Sequence, residues 1–495
     1  MKNPIGKRCS PSFFALEKVL MCCFLFLTFN IGKAQEKPNV LFLIIDDLND
    51  WIAISKKFPA VKTPNIDRLA AKGTYFSKAY SQAPLCGPSR SSFLSGLLPS
   101  KTGVYLQMKD ADLKKYFDEQ FKVDFLPNYF SKNGYQTLGV GKIFHNGPGV
   151  NAFNEYGLKF EGYGPSPEKR MNYDPAWFGQ KGTQTDWGAF PANDSQMPDY
   201  KSAAWAVQQL QKKHDKPFFM AVGFVRPHVP WHVPQKWFDK VKLNDIKTPP
   251  YLANDMSDIP EIGKQVAEVL EMPTTEWAIK NNKWKEMVQA YIACITFADA
   301  QVGKVLDALD KSAYQKNTYV VLFSDHGYHL GEKNRFAKHS LWERSAHVPL
   351  IISGPGLQKN VVSNHLVGLI DLYPTLVDLC GLPKNSQNQG RSISPILRGN
   401  VKNWDYPVYS FYGTNNVSVY KADYHYIKYD DQSEELYDLK KDPNEWTNKA
   451  AQFKGSAILS ALRKLAPEKT APYAPNLNME SNAYFRSKKQ ETQAH

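Results

Sequence analysis

Cys86 opens the segment "CGPSRSSFLSG" (residues 86–96), in which a thiol precedes a turn, Arg90 and several small polar residues. A thiol there can fill a core, bind a metal, act as a nucleophile or be the precursor of another group. Asp46 and Asp47 end the apolar run "PNVLFLIIDDLND" (38–50), and Asp325 and His326 end "TYVVLFSDHG" (318–327). Adjacent acids at the end of a buried strand repel each other and are costly to desolvate. A divalent cation relieves both costs, and oxygen donors without a dense His or Cys cluster favour calcium or magnesium. The same acids can instead cap turns or helices. Lys142 and His145 close "GVGKIFH" (139–145), His228 closes "GFVRPH" (223–228), and Lys338 and His339 lie in "RFAKHSLWERSAHVP" (335–349). Singly, such residues are ordinary loop or core side chains. Together with Arg90 they would surround Cys86 with a metal, cations and proton donors, a setting for a tetrahedral oxyanion. A bare thiolate fits poorly, being a soft ligand for a hard ion.

The elements that must position these residues are apolar runs without alternation, as in strands buried on both faces of a parallel sheet. Residues 38–45, 217–224, 318–324 and 347–353 have this character. Ligand sites of open α/β sheets lie at the C-terminal strand ends. Helices are expected over 63–72, from Ser91 to Leu97, over 201–211, 285–309 and 366–380. Residues 146–200, rich in Gly, Pro, Asn, Asp and aromatics, read as an irregular insertion in a cleft wall. After the linker-like "NSQNQGRSISP", alternating segments between 406 and 438 predict a small antiparallel sheet, covered by a helix from Ser456 to Leu465. The polar stretch 466–495 reads as extended or partly disordered. The expected fold is α/β: a large, mostly parallel mixed sheet sandwiched by helices, with a smaller C-terminal α+β domain carrying a short antiparallel sheet.

The chain has 495 residues, 42% hydrophobic and 13% aromatic, enough for a large and a small domain. Lys2, Lys7, Arg8 and Lys18 precede the apolar run Val19–Phe29, and "IGKA" ends at Ala34. This reads as a signal peptide cleaved near Ala34. A membrane anchor is the alternative, but the run is short for a spanning helix. The expectation is export to the periplasm or beyond, with no stable membrane insertion. Residues 1–34 hold five Lys/Arg and one Glu, so their removal lowers the formal charge from +13 to +9. No helix-turn-helix, zinc-finger or RNP pattern supports nucleic acid binding. An anionic carbohydrate suits the charge and the many Trp and Tyr residues better. Only Cys86, Cys294 and Cys380 follow the leader, which is no disulfide framework.

"CGPSR" followed by "SSFLSG" resembles the formylglycine signature of the type I sulfatases, in the alkaline phosphatase superfamily. "PNVLFLIIDDLND", "TPNIDRLAAKG", "GVGKIFH", "VRPHVPW" and "SDHGYHLGE" resemble them in the expected order, and "AKHSLWERSAHVPLII" resembles the iduronate-2-sulfatase-like branch. The resemblance spans roughly residues 36–450. It implies an alkaline phosphatase-like catalytic domain over 35–385, a small subdomain over 386–465 and a polar extension over 466–495. It implies that a formylglycine-generating or equivalent maturation enzyme converts Cys86 to 3-oxoalanine (formylglycine), whose hydrate is the nucleophile. Asp46, Asp47, Asp325 and His326, with residue 86, match the ligands of one Ca2+ ion. Arg90 matches the arginine that orients the formylglycine, and Lys142 and Lys338 match the lysines on sulfate oxygens. His145 matches the histidine beside the diol, and His228 the acid for the leaving alcohol. Two departures stand out. Many sulfatases have Asn at the position of His326, and "SVY" (418–420) replaces a frequent S-I-R, putting Tyr420 where an arginine is common.

The resemblance implies a sulfatase acting on a sulfated oligo- or polysaccharide, one containing uronate or deoxysugar. Tyr105, Trp231, His232, His329, Trp342 and Glu343 are the candidates for sugar contact, each of which can instead serve packing, in a cleft built by 100–110, 146–200, 226–237, 326–347 and the small domain. Two alternatives stay open: a phosphodiester or phosphonate monoester hydrolase of the same superfamily, and a non-catalytic glycan-binding protein with unmodified Cys86.

Overall fold

Strand β1 (Asn39–Ile45) shows why its sequence is apolar throughout. Leu41, Leu43 and Ile45 face one hydrophobic core, while Val40, Phe42 and Ile44 face another. A strand buried on both faces has no solvent side to be polar on.

In the computed structural model, residues 1, 6, 37–147, 151–158, 162–172, 174, 177 and 185–493 are described. The leader expected over 1–34 lies outside the described residues but for Met1 and Gly6. The other strands are β2 (Gly73–Tyr80), β3 (Gln136–Gly141), β4 (Glu155–Tyr156), β5 (Trp187–Ala189), β6 (Phe218–Phe224), β7 (Trp231–Val233), β8 (Thr318–Ser324), β9 (His347–Ser353), β10 (Val361–Ser363) and β11 (Val367–Gly368). Among the described residues they form a large sheet of order β10-β2-β9-β8-β1-β6-β3-β4, with β11 on β2, and a separate β5-β7 pair. All pairings in the large sheet are parallel except those of β9, which runs antiparallel to β2 and β8. Helices cover both faces. Pro64–Ala71, Pro198–Gln211 and Trp284–Lys311 lie on one, and Cys86–Ser95, Leu126–Lys132 and Leu372–Leu379 on the other.

The small sheet is antiparallel: β12 (Val408–Phe411), β13 (Val417–Lys421), β14 (Tyr424–Lys428) and β15 (Glu434–Asp438). The Ala457–Leu465 helix packs on it through Leu459 and Leu462 and is capped by Ser456, whose hydroxyl accepts from Leu459 N. Fold class and both layers match the expectation.

Four local expectations change. The helix expected over 366–380 is confined to Leu372–Leu379, because 367–368 pairs with β2 as β11 and Leu369–Asp371 forms a 3-10 turn. The helix expected from Ser91 begins at Cys86 itself. Strand β9 runs against its neighbours, so it leaves the site edge rather than arriving there. The segment 466–495 is not simply extended: it carries a helix, Ala483–Gln493, held by buried Phe485. Upstream of it, Ala471 N donates to Ser100 O (2.8 Å) and Ala474 N to Gly103 O (3.0 Å). The apolar anchors are too few in this stretch to produce a periodic signal. Cys294 and Cys380 are buried thiols in the cores on opposite faces of the large sheet. Among the described residues, no helix is long and apolar enough to cross a membrane.

Candidate active site

Parallel strands end at one edge, and here those ends carry the ionisable residues. β1 runs into Asp46 and Asp47, β3 into Lys142, β6 towards His228, and β8 into Asp325 and His326. β2 leads through residues 81–85 into the Cys86–Ser95 helix, all of whose residues are buried. Phe93 locks that helix to the sheet, its ring edge-on to Phe323 at 5.0 Å.

Lys142 reaches the site because β3 and β6 approach closely. Gly141 takes φ +78°, and a Cβ there would lie 2.0 Å from Gly223 O. Only glycine meets both demands.

Arg90, 1% exposed, ties the strand ends together. Its Nε donates to Asp325 Oδ2 (2.8 Å), Nη2 to Asp46 Oδ1 (3.2 Å), and Nη1 to the carbonyls of Lys142 and Ile143. Lys142 Nζ lies 2.5 Å from Asp46 Oδ2, and Lys338 Nζ lies 2.5 Å from Asp47 Oδ1. Around Cys86 Sγ stand His326 Nε2 at 3.2 Å and Lys338 Nζ at 3.3 Å. His326 is oriented through Nδ1, 3.0 Å from Gly327 O. His228 Nε2 is 3.9 Å from Asp47 Oδ2, and its ring stacks on Tyr163 at 4.3 Å.

Burial alone would raise the Cys86 thiol, but Lys142, Lys338 and His326 outweigh it and hold it well below its ordinary value. Burial works against the Lys142 ammonium, yet Asp46 and Cys86 raise it, and Asp47 does the same for Lys338. Both lysines are therefore fixed cations. Burial lowers His145 despite its hydrogen bond to Cys86, which favours a neutral ring. Burial would also lower His326, but Asp325 and Cys86 raise it to about 9.

Donor atoms of Asp46, Cys86, Asp325 and His326 lie within 4.8 Å of one another, as do those of Asp46, Asp47, Cys86 and His228. Asp47 Oδ2 is buried with no hydrogen-bond partner. An orphaned carboxylate oxygen among two further carboxylates fits a hard cation. The thiol and the imidazoles are the donors that suit such an ion least, and an oxygen at residue 86 would suit it better.

Cys86, Asp47, His145, His228 and Lys338 line a cleft of about 240 Å³. All ten residues assigned to catalysis or metal binding converge here. The six assigned to sugar contact do not line this cleft. Tyr105 donates its hydroxyl to Ala471 O (2.8 Å), and Trp231 packs edge-on to Tyr291 and Tyr328. His232 pairs with Asp186 (3.1 Å), and His329 with Ser340 (3.2 Å). Trp342 donates to Glu435 (2.9 Å), and Glu343 pairs with His347 (2.9 Å). Each side chain is consumed by packing beneath or beside the cleft. Tyr420 is likewise buried, stacked on Tyr80 at 3.9 Å. The cleft wall instead includes Gln107, Tyr163, Glu271, His339, Asn478 and Ser481. Segments 100–110, 146–200, 226–237 and 326–347 do contribute. The small sheet does not line it, and residues 269–272 and 478–481 take its place. These two stretches carry no motif, and their position depends on long-range pairing.

The strand-end cluster on an alkaline phosphatase-like fold defines a hydrolase of anionic esters. A sulfatase family profile matches residues 38–382, and one for the N-sulphoglucosamine sulphohydrolase C-terminal region matches 331–470. This chain belongs to the sulfatase family, the formylglycine-dependent branch of that superfamily, and is a sulfatase-type hydrolase. It is 45% identical to a sulfatase of Formosa agariphila over 93% of this chain and 92% of the relative. It is 31% identical to human iduronate 2-sulfatase over 71% and 70% of the two chains. The solved structure of a 2-O GAG sulfatase superposes with a TM-score of 0.67 at 25% identity, covering 93% and 94%.

Proposed function

We propose that the protein hydrolyses sulfate esters of a sulfated oligo- or polysaccharide, with residue 86 matured to formylglycine and a calcium ion bound at Asp46, Asp47, Asp325 and His326. The observation that carries this reading is the position of Cys86. It lies at the head of a buried helix, in the cleft, within 3.3 Å of both Lys338 and His326. The saccharide class is supported by the 2-O GAG sulfatase and iduronate 2-sulfatase likenesses and by the positive balance of the chain. The absence of the common small-domain arginine, with Tyr420 buried in its place, argues against a simple carry-over of iduronate specificity.

The hydrated aldehyde of formylglycine supplies an oxygen nucleophile that a thiol cannot. A divalent ion would polarise the sulfuryl oxygens and, beside three carboxylates and three fixed cations, leave the centre net positive. Lys142 and Lys338 hold cationic ammonium groups where charge develops on those oxygens. Arg90 fixes the ends of β1, β3 and β8 relative to residue 86. His228, on the cleft side of Asp47, is placed to give a proton to the departing sugar oxygen. His145, kept neutral by burial, is placed to accept a proton from residue 86.

Export rests on the leader read from the sequence: we propose cleavage near Ala34, with maturation by a formylglycine-generating or equivalent enzyme. Peptide mass spectrometry of protein from its native host tests the nucleophile. An aldehyde in place of the Cys86 thiol supports the reading, and unmodified cysteine in native, purified protein overturns it in favour of a glycan-binding role. Faster turnover of phosphodiesters or phosphonate monoesters than of sulfate esters would instead place the chain with those hydrolases.

A further inference from the structure

A second groove of about 960 Å³ opens beside the catalytic cleft, and the two share Gln107, His145 and Asn478. The catalytic cleft is smaller than the roughly 300–1,000 Å³ typical of ligand sites, whereas the groove lies at the upper end of that range. One wall is residues 473–479, a segment fixed by backbone pairing: Ala474 N donates to Gly103 O (3.0 Å) and Asn478 N to Gln107 O (2.7 Å). Gln107 joins the two spaces. Its Oε1 accepts from Gly87 N at 2.9 Å, one residue from Cys86.

The groove lining carries one carboxylate, Asp112, against two lysines, Lys109 and Lys489, which suits a neutral sugar chain or one whose anionic group meets a lysine. Gln107, Asn146, Asn476 and Asn478 supply amides, each both donor and acceptor, which match rows of sugar hydroxyls. Lys489 is tied to Glu480 at 2.7 Å. Lys109 also lines the groove and has no acidic partner within ion-pair distance among the described residues, so it can meet a carboxylate or a second sulfate.

We infer that this groove holds the saccharide residues adjoining the sulfated one, so that the substrate is an oligosaccharide or longer chain and the C-terminal segment is part of its binding site. The inference rests on the sulfated-saccharide reading above. It predicts that binding energy gained away from the reacting bond appears as faster turnover of longer substrates.

The test is sulfate release by the full-length matured enzyme from size-graded heparan sulfate and carrageenan oligosaccharides of one to six residues. The expected result is a kcat/KM at least about tenfold higher for a tetrasaccharide than for the monosaccharide of the preferred series. In Lys109→Ala and Asn476→Ala proteins that ratio should fall towards one, with unchanged thermal midpoints showing that the segment is still docked. Release that is independent of length, or variants that keep the full ratio, overturns the inference while leaving the sulfatase reading intact. Release from no saccharide in either series overturns the saccharide reading, and the groove assignment with it.

Discussion

A Cβ placed on Gly223 would lie 2.1 Å from the carbonyl oxygen of Lys142, so the missing side chain of one strand seats the buried cation at the end of its neighbour. Gly223→Ala therefore has to push the Lys142 backbone outward and carry Nζ away from Asp46. A displacement near 1 Å in a reacting site costs about 100-fold in rate. Steady-state kinetics on a sulfate ester, compared with Lys142→Ala, should show the two variants losing similar activity.

Lys338 bridges Asp47 and residue 86. Lys338→Met should lower kcat by about 100- to 1,000-fold, the loss seen when one preorganised group facing developing charge is removed. Calcium content, measured by elemental analysis, should stay near one ion per chain, because Asp47 keeps its carboxylate. A variant that loses the ion altogether would mean that Lys338 supports the metal site rather than the sulfuryl group.

His228 is assigned to the leaving group, and this has a specific signature. His228→Ala should slow release from a sugar sulfate by about 100- to 10,000-fold, the usual worth of a positioned proton donor. An aryl sulfate, whose phenolate departs without protonation, should lose far less. Equal losses on both substrates would point to a role in binding.

Chelation should lower both activity and thermal stability, and calcium should restore both better than zinc. An ion bound only by the folded chain adds about 2.7 kcal/mol when its free concentration is about 100 times its Kd. Scanning calorimetry across a calcium titration checks this. A midpoint that ignores calcium would remove the ion from the site.

Outside the site, Glu343 and His347 form a buried ion pair at 2.9 Å. Burial disfavours the charged imidazole, but Glu343 outweighs it and raises His347 above its ordinary value. A raised histidine stabilises the fold fully below its unfolded value of about 6.5, and that contribution is lost as pH climbs through the folded value. His347→Gln, which removes the imidazolium beside Glu343 and leaves it the Tyr80 hydroxyl, should cost up to about 3 kcal/mol at pH 6. The gap to the unsubstituted protein should narrow with rising pH, as read from urea unfolding at pH 6 to 9.

The chemistry of the site was legible because it is local. "CGPSR" marks residue 86, and "IIDDLND", "GVGK" and "SDHG" each join an apolar strand to the residue it delivers. Parallel pairing does the rest, since strands buried on both faces end at one edge whatever the loops do. The sugar-contact residues were not legible. Trp231 and Trp342 have side chains that cover a sugar face as readily as they fill a core, and only the surroundings decide which. Here Tyr291 and Tyr328 enclose the first, and Glu435 claims the indole N–H of the second.

By itself, then, the sequence determined that Asp46, Asp47, Lys142, Asp325 and His326 stand at the ends of apolar strands and that a large sheet precedes a small one, because each is written within a few residues of one strand. Tertiary structure alone decided which surfaces remain open to a substrate. Asn478 and Ser481 lie almost 400 residues from Cys86 in the chain, and they reach its cleft only because the 471–478 segment pairs with residues 100–107. Such pairing depends on backbone hydrogen bonds, which any residue but proline can donate, so it leaves no composition or periodicity to read.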